Sequence, residues 1–573
     1  MKTLLPFFKP FRKECIVAPL FKLFEAVLEL LVPLIMAAII DSGIQLRDTG
    51  YVLRMGALLA GLGLLGFVCA ITAQFFAARA AVGVAASLRS SLFRHIQRFT
   101  HNELDTIGTP TLINRLTTDM NQVQTGVNMT LRLLLRSPFV VFGAMIMAFT
   151  VDFKTALIFA ALIPLLAIVV VAIMRLTLPR HKQVQGQLDK VLLRTRENLT
   201  GVRVLRAFGK QESETGAYEA DAQRLCEMQQ RVGRLSALMN PLTYVLVNGA
   251  LAALLWSGAL QVDGGILTQG QVVALVNYLS QILVELIKLA NLIVTITKAI
   301  ACAGRIESVL LIQPSMQDGK SVTAAATNVS VRFDNVSTRY ANAGDDSLTG
   351  ISFTALKGQT IGVIGGTGSG KSTLINLIPR FYDASVGTVE VDGVDVRKLP
   401  MQALRDKVAV VPQKAVLFKG TIRDNMRWGK QDATDEEIWR ALEIAQAAEI
   451  VRGKSKGLDE PVEQNGRNLS GGQRQRLTIA RALVRNPQIL ILDDSASALD
   501  YATDAALRKS LHEMNSGATV FIVSQRASSI RHADLILVLD DGELAGSGTH
   551  DELMQSCPVY QEIYYSQYPK EAV

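Results

Sequence analysis

The chain has 573 residues, of which 49% are hydrophobic and 19% are charged, with a formal net charge of +8 and a mean hydropathy of +0.26. This composition is too apolar for an ordinary soluble protein of the same length, and the length allows two or three domains. The basic balance would suit a nucleic-acid-binding protein, but the sequence supplies no base-reading element, so nucleic acid is excluded as a partner.

Six apolar segments before about residue 305 are long enough to cross a membrane as helices. Each approaches or exceeds the ~20 residues that a helix needs to cross the hydrocarbon, and the stretch from Ala156 to Met174 carries no charge. Buried helices of soluble proteins rarely run uncharged for that length. We predict spans near residues 15–40, 55–82, 132–151, 155–175, 238–260 and 271–297.

Basic residues mark one side of the predicted membrane domain. Long basic segments follow the second and the fourth spans, whereas the opposite connections are short and not basic overall. Cytoplasmic loops are enriched in Lys and Arg, so both termini are predicted to be cytoplasmic, without a cleavable signal peptide. Basic residues also precede the first span; they are Lys2, Lys9, Arg12 and Lys13.

The first and the sixth predicted spans carry ionisable residues that mark possible substrate contacts. Lys22, Glu25 and Glu29 recur on one face of the first span, and Glu285 lies three residues before Lys288 in the sixth. Such groups usually face a bundle interior or a watery cavity. Two interpretations stay open: Glu25, Glu29 and Glu285 line a substrate cavity that favours cationic amphiphiles, or the charges pair with one another.

The apolar half is followed by a segment with the composition of a linker. Gln313-Pro314-Ser315 and the small residues 324–327 are typical of an irregular connection. We therefore predict a transmembrane domain over 1–305, a linker over 306–327 and a second domain over 328–573. The five cysteines are isolated and show no metal-type spacing, so they are predicted to be packing residues without disulfides.

A phosphate-binding loop lies near the start of the second domain. After an apolar run, residues 365–372 read G-x-x-x-x-G-K-S, in which glycines let successive N–H groups face one anion. Lys371 is expected to reach the β- and γ-phosphates of ATP, and Ser372 to ligate Mg²⁺. The apolar strand 489–492 ends in Asp493, placed to hold Mg²⁺ through water. The loop residues expected to contact ATP are Gly365, Gly366, Thr367, Gly368, Ser369, Gly370, Lys371, Ser372 and Thr373.

A third motif carries a family resemblance. Residues 469–473 read Leu-Ser-Gly-Gly-Gln, which resembles the signature motif of ABC transporters without departure. The resemblance covers nearly the whole chain and is to a type IV, exporter-type half-transporter. It implies a membrane α-helical bundle of six transmembrane helices with long cytoplasmic extensions, followed by an α/β P-loop nucleotide-binding domain.

The resemblance also implies roles for individual residues. Tyr340 looks like the aromatic residue that stacks on adenine, and Gln413 looks like the Q-loop glutamine that touches Mg²⁺ and senses the membrane domain. Residues 102–105 and 112–119 resemble the first intracellular loop. Residues 197–208 resemble the stretch leading to the second coupling helix, which in the family docks on the partner's cassette. In the family, the signature motif grips ATP bound to the other chain. The signature residues are Leu469, Ser470, Gly471, Gly472 and Gln473, and the D-loop residues are Ser497, Ala498, Leu499 and Asp500.

Three positions depart from the family pattern. The general base on the attacking water is usually glutamate, and here it is Asp494, whose carboxylate is shorter by roughly 1.5 Å. Misplacement of that size can cost about 100-fold in rate. Gln525 replaces the switch histidine and cannot carry a proton at neutral pH. Glu463-Gln464, at the loosely aligned X-loop, is the third departure.

These departures predict a heterodimer. The site built on Asp494 and Gln525 is expected to be degenerate, while the intact signature motif completes a competent site on a partner that carries the glutamate and the histidine. The whole is similar to the degenerate-site subunit of bacterial multidrug exporters, which implies the bacterial inner membrane, contact with membrane lipid and a small amphiphilic substrate. The alternative is a slow homodimer that uses Asp494.

Three functions compete at this point. The first is an exporter of lipophilic drugs, lipids or peptides; the second is an importer of siderophore-like cargo on the same scaffold; the third is a regulatory membrane ATPase that transports nothing. The sequence does not name the cargo.

Overall fold

The fold is described by a computed structural model over residues 2–320, 327–340, 343–495, 497–513 and 517–568. Its contacts divide the chain into two compact units. The first comprises residues 1–97 and 110–312, and the second comprises 98–109 and 313–573. The early segment 98–109 packs with the second unit, which the sequence did not reveal.

The first unit is helical. The described residues contain six helical stretches that are long and apolar enough to cross a membrane, which confirms the six predicted spans. These helices exceed a bilayer: the 48 residues of the second correspond to about 72 Å of helix, against ~30 Å of hydrocarbon. The six stretches are Thr3–Ile44, Thr49–Ile96, Thr109–Val151, Phe153–Thr200, Gln211–Asp263 and Gln269–Leu310.

Local chemistry fixes several ends of these helices. The carboxylates of Asp48 and Asp152 accept hydrogen bonds from backbone N–H groups at two helix starts, and Thr268 forms a capping box with Gln271. A 3₁₀ segment, Lys2–Phe11, precedes the first helix. The helices are α1 (Arg12–Ala38), α2 (Thr49–Ile96), α3 (His101–Ile107), α4 (Thr109–Asn114), α5 (Met120–Leu133), α6 (Arg136–Val151), α7 (Phe153–Thr200), α8 (Val202–Ala207), α9 (Gln211–Ala237), α10 (Met239–Asp263) and α11 (Gln269–Leu310).

Small residues let the membrane helices pack closely. The buried face of α2 is rich in alanine, including Ala73, Ala77 and Ala80, which allows close approach of neighbouring helices. In the core between α1, α6, α7, α10 and α11, Phe159 and Tyr278 are fully buried. The hydroxyl of Tyr278 donates to the carbonyl of Leu30 at 2.7 Å, so this buried polar group is satisfied.

The second unit is built on two main sheets and a short strand pair. The order of the first sheet is β2-β1-β4-β5, and that of the second is β12-β11-β3-β10-β9-β6. In the second sheet β3, β6, β9, β10 and β11 are parallel, and only β12 is antiparallel. The strands are β1 (Val329–Thr338), β2 (Leu348–Leu356), β3 (Thr360–Gly365), β4 (Val386–Val391), β5 (Val394–Asp395), β6 (Val408–Val411), β7 (Gly420–Thr421), β8 (Pro461–Val462), β9 (Ile489–Asp493), β10 (Thr519–Val523), β11 (Leu535–Asp540) and β12 (Glu543–Gly548).

The parallel sheet is buried on both faces. Strand β10 is buried along its whole length and lies between β3 and β9, as expected for a continuous apolar run covered by helices. The carboxyl ends of β3, β9 and β10 therefore meet at one edge, where open α/β sheets bind ligands. The remaining helices are α12 (Lys371–Leu377), α13 (Met401–Lys407), α14 (Ile422–Arg427), α15 (Asp435–Ile444), α16 (Ala448–Arg452), α17 (Gly471–Leu483), α18 (Tyr501–His512), α19 (Ala527–Ile530), α20 (His550–Ser556) and α21 (Pro558–Gln567).

The predicted linker, 306–327, starts too early. Helix α11 continues to Leu310, because Ile306 and Val309 still bury apolar side chains in the first unit. The predicted small-residue stretch 324–326 lies outside the described residues. All five cysteines are free, in agreement with the expectation that they form no disulfides.

Candidate nucleotide-binding site

The phosphate loop connects β3 to α12. Two glycines adopt left-handed backbone conformations, Gly368 at φ 86° and Gly370 at φ 91°. A Cβ atom on Gly370 would lie 2.6 Å from the side chain of Leu348 and 2.8 Å from the carbonyl oxygen of Ser347. Glycine is therefore required at position 370 by both the backbone angle and the close approach of β2.

Lys371 and Asp493 face each other across the loop. The ammonium group of Lys371 donates to the carbonyl oxygens of Gly365 at 3.0 Å and Gly366 at 2.5 Å. Burial lowers the pKa of Lys371, and burial together with the neighbouring Asp494 raises the pKa of Asp493. Burial thus disfavours the charged form of both groups, and perturbed pKa values of this kind are common at functional sites.

Asp494 occupies the position next to the end of β9. Its backbone N–H donates to the carbonyl of Val523 at 3.1 Å, and its carboxylate accepts from the side-chain amide of Gln413 at 3.2 Å. The backbone is left-handed at φ 45°, which aspartate adopts more readily than most residues. Asp494 is thus held at the edge of the parallel sheet, with its carboxylate on the side of Gln413.

These side chains line one cavity of about 600 Å³. It brings together the predicted Tyr340, Gln413 and Gln525, which lie far apart in the sequence. The hydroxyl of Tyr340 is hydrogen-bonded with that of Thr373 at 3.0 Å. Other residues of the cavity were not predicted from the sequence; they include Asp345, Asp346, Ser347, Asp541 and Gly542.

The oxygen donors of the cavity fit Mg²⁺. Ser372 Oγ donates to Asp493 Oδ1 at 3.1 Å, so one hydroxyl and one carboxylate converge beside the loop. Mg²⁺ is usually held by one or two carboxylates plus phosphate oxygens and water, without an all-protein cage. The described residues contain no group of three or more His, Cys, Asp or Glu side chains arranged to hold a metal ion.

The signature motif does not line this cavity. Ser470 is the N-cap of α17 and forms a capping box with Gln473, while Leu469 is buried beneath it. Ser470 and Gly471 are exposed, and the residues lining the described cavity include none of the motif. The motif is therefore folded and presented to solvent, away from the nucleotide site of its own chain.

The D-loop follows the nucleotide site directly. The hydroxyl of Ser497 donates to the carbonyl of Asp494 at 2.8 Å, and Asp500 caps α18 by accepting from the N–H of Thr503. Leu499 is buried, and a Cβ atom on Gly472 would meet the carbonyl of Ala498 at 3.2 Å. The D-loop thus extends from the nucleotide site towards the signature motif.

Within the second unit, helix α3 packs on the segment that follows α12 through aromatic residues. The ring of His101 lies 4.7 Å from that of Phe381 and 5.6 Å from that of Tyr382, and the Tyr382 hydroxyl donates to Asp105 at 2.8 Å. Burial lowers the pKa of His101, and Arg405 lowers it further against the opposing effect of Asp105. Neither aromatic residue was singled out in the sequence.

The intramembrane carboxylates of the first unit are paired. Arg136 places its two terminal nitrogens 2.5 Å from Glu285 and 2.5 Å from Glu29. Glu285 also accepts from the Ser137 hydroxyl and from Lys288, each at 2.8 Å. The side chains of Arg136 and Glu285 are 7% and 3% exposed, so this ionic cluster is buried between α1, α6 and α11.

The geometry favours ion pairing over an open acidic cavity. Lys22 pairs with Glu25 at 2.6 Å, so Glu25, like the other two acids, has a cation as its direct partner. Arg136, which the sequence-based prediction did not include, supplies the central charge. The available signal was an arginine inside the predicted span 132–151, where an ionisable residue is uncommon.

Known proteins resemble this chain over nearly its whole length. The family models for the ABC transporter transmembrane region and for the ABC transporter match residues 15–286 and 348–497. An uncharacterized ABC transporter ATP-binding protein of Mycobacterium tuberculosis, Rv1273c, is 36% identical over 98% of this chain and 97% of that protein. YheI of Bacillus subtilis, a probable multidrug resistance ABC transporter ATP-binding/permease protein, is 34% identical over 84% of this chain and 82% of its own. The structure of a bacterial Atm1-family ABC exporter with ATP bound matches with a TM-score of 0.81, covering 98% of this chain and 99% of that chain at 24% identity, which shows a shared fold.

Proposed function

This chain belongs to the ABC transporter family, and from that premise we propose that it is the degenerate-site half of a heterodimeric exporter of lipophilic or amphiphilic compounds. The family consists of membrane proteins that bind ATP and couple its hydrolysis to transport. The multidrug assignment of the Bacillus subtilis relative supports the cargo class, and the exporter-type fold supports the direction.

One observation carries the proposal: an altered nucleotide site and an unaltered signature motif occur in the same chain. Asp494 and Gln525 line the cavity that holds Lys371 and Ser372, so the two departures affect a single site. The signature motif lies outside that cavity and retains its cap and an exposed glycine, Gly471. A chain of this kind is suited to binding ATP itself and to completing a hydrolytic site on a partner.

The cavity residues would divide the work of binding. Tyr340 would stack on the adenine, and Lys371 with the loop N–H groups would hold the phosphates. Ser372, Asp493 and Gln413 would hold Mg²⁺, which offsets phosphate charge when bound. Asp494 accepts a hydrogen bond from Gln413, so one of its carboxylate oxygens is already occupied when an attacking water has to be oriented.

Transport would follow from closure of two cassettes around two ATP molecules. Ser470, Gly471 and Gly472 would face the γ-phosphate on the partner, where preorganised N–H and hydroxyl donors stabilise developing charge. The degenerate site would keep its ATP longer and hold the cassettes together between turnovers. Both termini would lie in the cytoplasm, as the basic segments indicate.

A pair of substitutions in the purified heterodimer tests the proposal. Replacing the partner's catalytic glutamate by glutamine should abolish turnover, while Asp494→Asn should leave most of it. Equal losses would overturn the division of labour. This chain purified without a partner should show no measurable ATPase activity. Slow hydrolysis by a self-assembled dimer would favour the slow-homodimer alternative, and rapid hydrolysis would overturn the degenerate site itself; either result would end the proposal. Transport into vesicles of defined sidedness separates export from import.

A further inference from the structure

An apolar cavity lies beneath the N-terminal 3₁₀ segment, away from the ionic cluster and the nucleotide site. Its volume is about 430 Å³, within the ~300–1,000 Å³ of small-ligand pockets. Its walls come from the 3₁₀ segment, α2, α5 and α11. Residues that represent these walls are Leu4, Phe8, Leu88, Val127, Thr130 and Ile300.

Two close contacts shape this N-terminal cavity. A Cβ atom on Gly83 would lie 2.3 Å from the ring of Phe11, so glycine lets the 3₁₀ segment lie directly against α2. A Cβ atom on Gly126 would lie 2.2 Å from that of Ala299, so α5 and α11 nearly touch at the floor. The cavity is therefore formed by packed helices and is not a loose gap at a chain end.

The walls all lie at one end of the membrane helices. The 3₁₀ segment precedes α1, Val84 and Leu88 follow the apolar part of α2, and Ala299 and Ile300 follow that of α11. The predicted spans therefore assign this end to the level of the lipid headgroups and upper acyl chains, on the side where the first span begins. The proposed topology makes that side cytoplasmic, and the inference depends on the proposed function for this point alone.

Charge at this cavity favours an anion. Lys9 follows Phe8 directly, and Arg12 and Lys13 lie within the next turn. All three are exposed, and none forms an ion pair within the described part of the chain. Glu14 is engaged instead by Arg79, at 3.5 Å. An apolar cavity beside a basic surface matches an amphiphile with an anionic head, because basic residues at a membrane surface attract acidic lipids.

We propose that this cavity binds an acyl chain of an acidic phospholipid, whose phosphate contacts Lys9, Arg12 and Lys13. The lipid fastens the 3₁₀ segment across α2, α5 and α11. Since α5 and α11 belong to the helices that must move during transport, bound lipid stabilises the arrangement described here. The site is distinct from the nucleotide site and takes lipid that is not transported.

Photocrosslinking in lipid nanodiscs tests this binding. The probes are phosphatidylglycerol and phosphatidylcholine that carry a diazirine in one acyl chain, and labelled peptides are identified by mass spectrometry. Phosphatidylglycerol should label residues 123–131 more strongly, since each basic residue near the surface strengthens attachment about fivefold. Val127→Trp, which fills the partly exposed space, should reduce this labelling; Leu64→Trp, on an exposed face of α2, should not.

A charge variant distinguishes binding of the lipid headgroup from binding of the acyl chain. Neutralising Lys9, Arg12 and Lys13 to Gln should remove the preference for phosphatidylglycerol while phosphatidylcholine labelling persists. The matched control neutralises three exposed basic residues elsewhere in the unit, namely Arg206, Lys210 and Arg224. Equal labelling by both lipids in the unmodified chain, or labelling unaffected by Val127→Trp, would overturn the proposal. So would displacement of the label by a transported compound, which would assign the cavity to the substrate path. Loss of ATPase in the heterodimer would not affect this readout.

Discussion

Removing Arg136 tests the buried ionic cluster. Arg136→Met leaves Glu285, 3% exposed, with only Lys288 as a charged partner and leaves Glu29 without its cation. Breaking a buried pair costs ~3–5 kcal/mol, and because Glu29 is 40% exposed and Lys288 remains, we expect about 3 kcal/mol. The measurement is the free energy of unfolding in mixed micelles, with unfolding monitored by the loss of the helical circular dichroism signal.

A double variant distinguishes a lost pair from lost packing. Arg136→Met combined with Glu285→Met removes both charges and should recover most of the lost stability, since apolar replacement of a buried pair is often neutral. Arg175→Met, which removes an exposed cation from α7, is the control and should change stability by less than about 0.5 kcal/mol. An unchanged free energy of unfolding in Arg136→Met would refute the reasoning. So would a double variant whose loss of free energy equals the sum of the losses in Arg136→Met and Glu285→Met.

The remaining predictions concern the second unit. Tyr340→Ala should weaken ATP binding about 10-fold because stacking on the adenine is lost, whereas Tyr340→Phe should keep the affinity. Binding of a fluorescent ATP analogue measures this, and the same affinity in Tyr340→Ala as in the unmodified chain would exclude stacking. Ser470→Ala should lower the ATPase rate of the heterodimer about 100-fold without changing the ATP affinity of this chain's own site. The control is Thr434→Ala, which removes the same kind of helix cap from α15 and should leave the ATPase rate unchanged. Burial lowers the pKa of His101, so the free energy of unfolding should begin to decrease as the pH falls below about 6.5. The decrease should continue until the pH has passed below the pKa of His101 in the folded state. His101→Phe should reduce this pH dependence, measured as the thermal unfolding temperature against pH. An unchanged pH dependence would contradict the packing of His101 against Phe381 and Tyr382.

The features that sequence predicted are those with local patterns. Uncharged runs such as 156–174 set the spans, because hydrocarbon demands a minimum helix length. The loop 365–372 and the strand ending at Asp493 predicted a phosphate site, because their chemistry is contained in a few consecutive residues. The cavity indeed brings Lys371, Ser372 and Asp493 together.

The features that sequence missed depend on contacts between distant segments. Arg136 meets Glu29 and Glu285, which lie 107 and 149 residues away, so no local spacing indicated the pairing. The packing of His101 on Phe381 likewise joins α3 to a cassette more than two hundred residues later. Such partners are determined by how helices and sheets pack, which a single sequence does not specify.

The central claim is that this chain binds ATP but leaves its cleavage to a partner. Photoreactive ATP, labelled on either the α- or the γ-phosphate, measures this directly. The nucleotide is crosslinked to the heterodimer after one turnover, and the two subunits are then separated and their labels counted. The account predicts that this chain retains both labels while the partner retains the α-label alone. Loss of the γ-label from this chain at the partner's rate would contradict it.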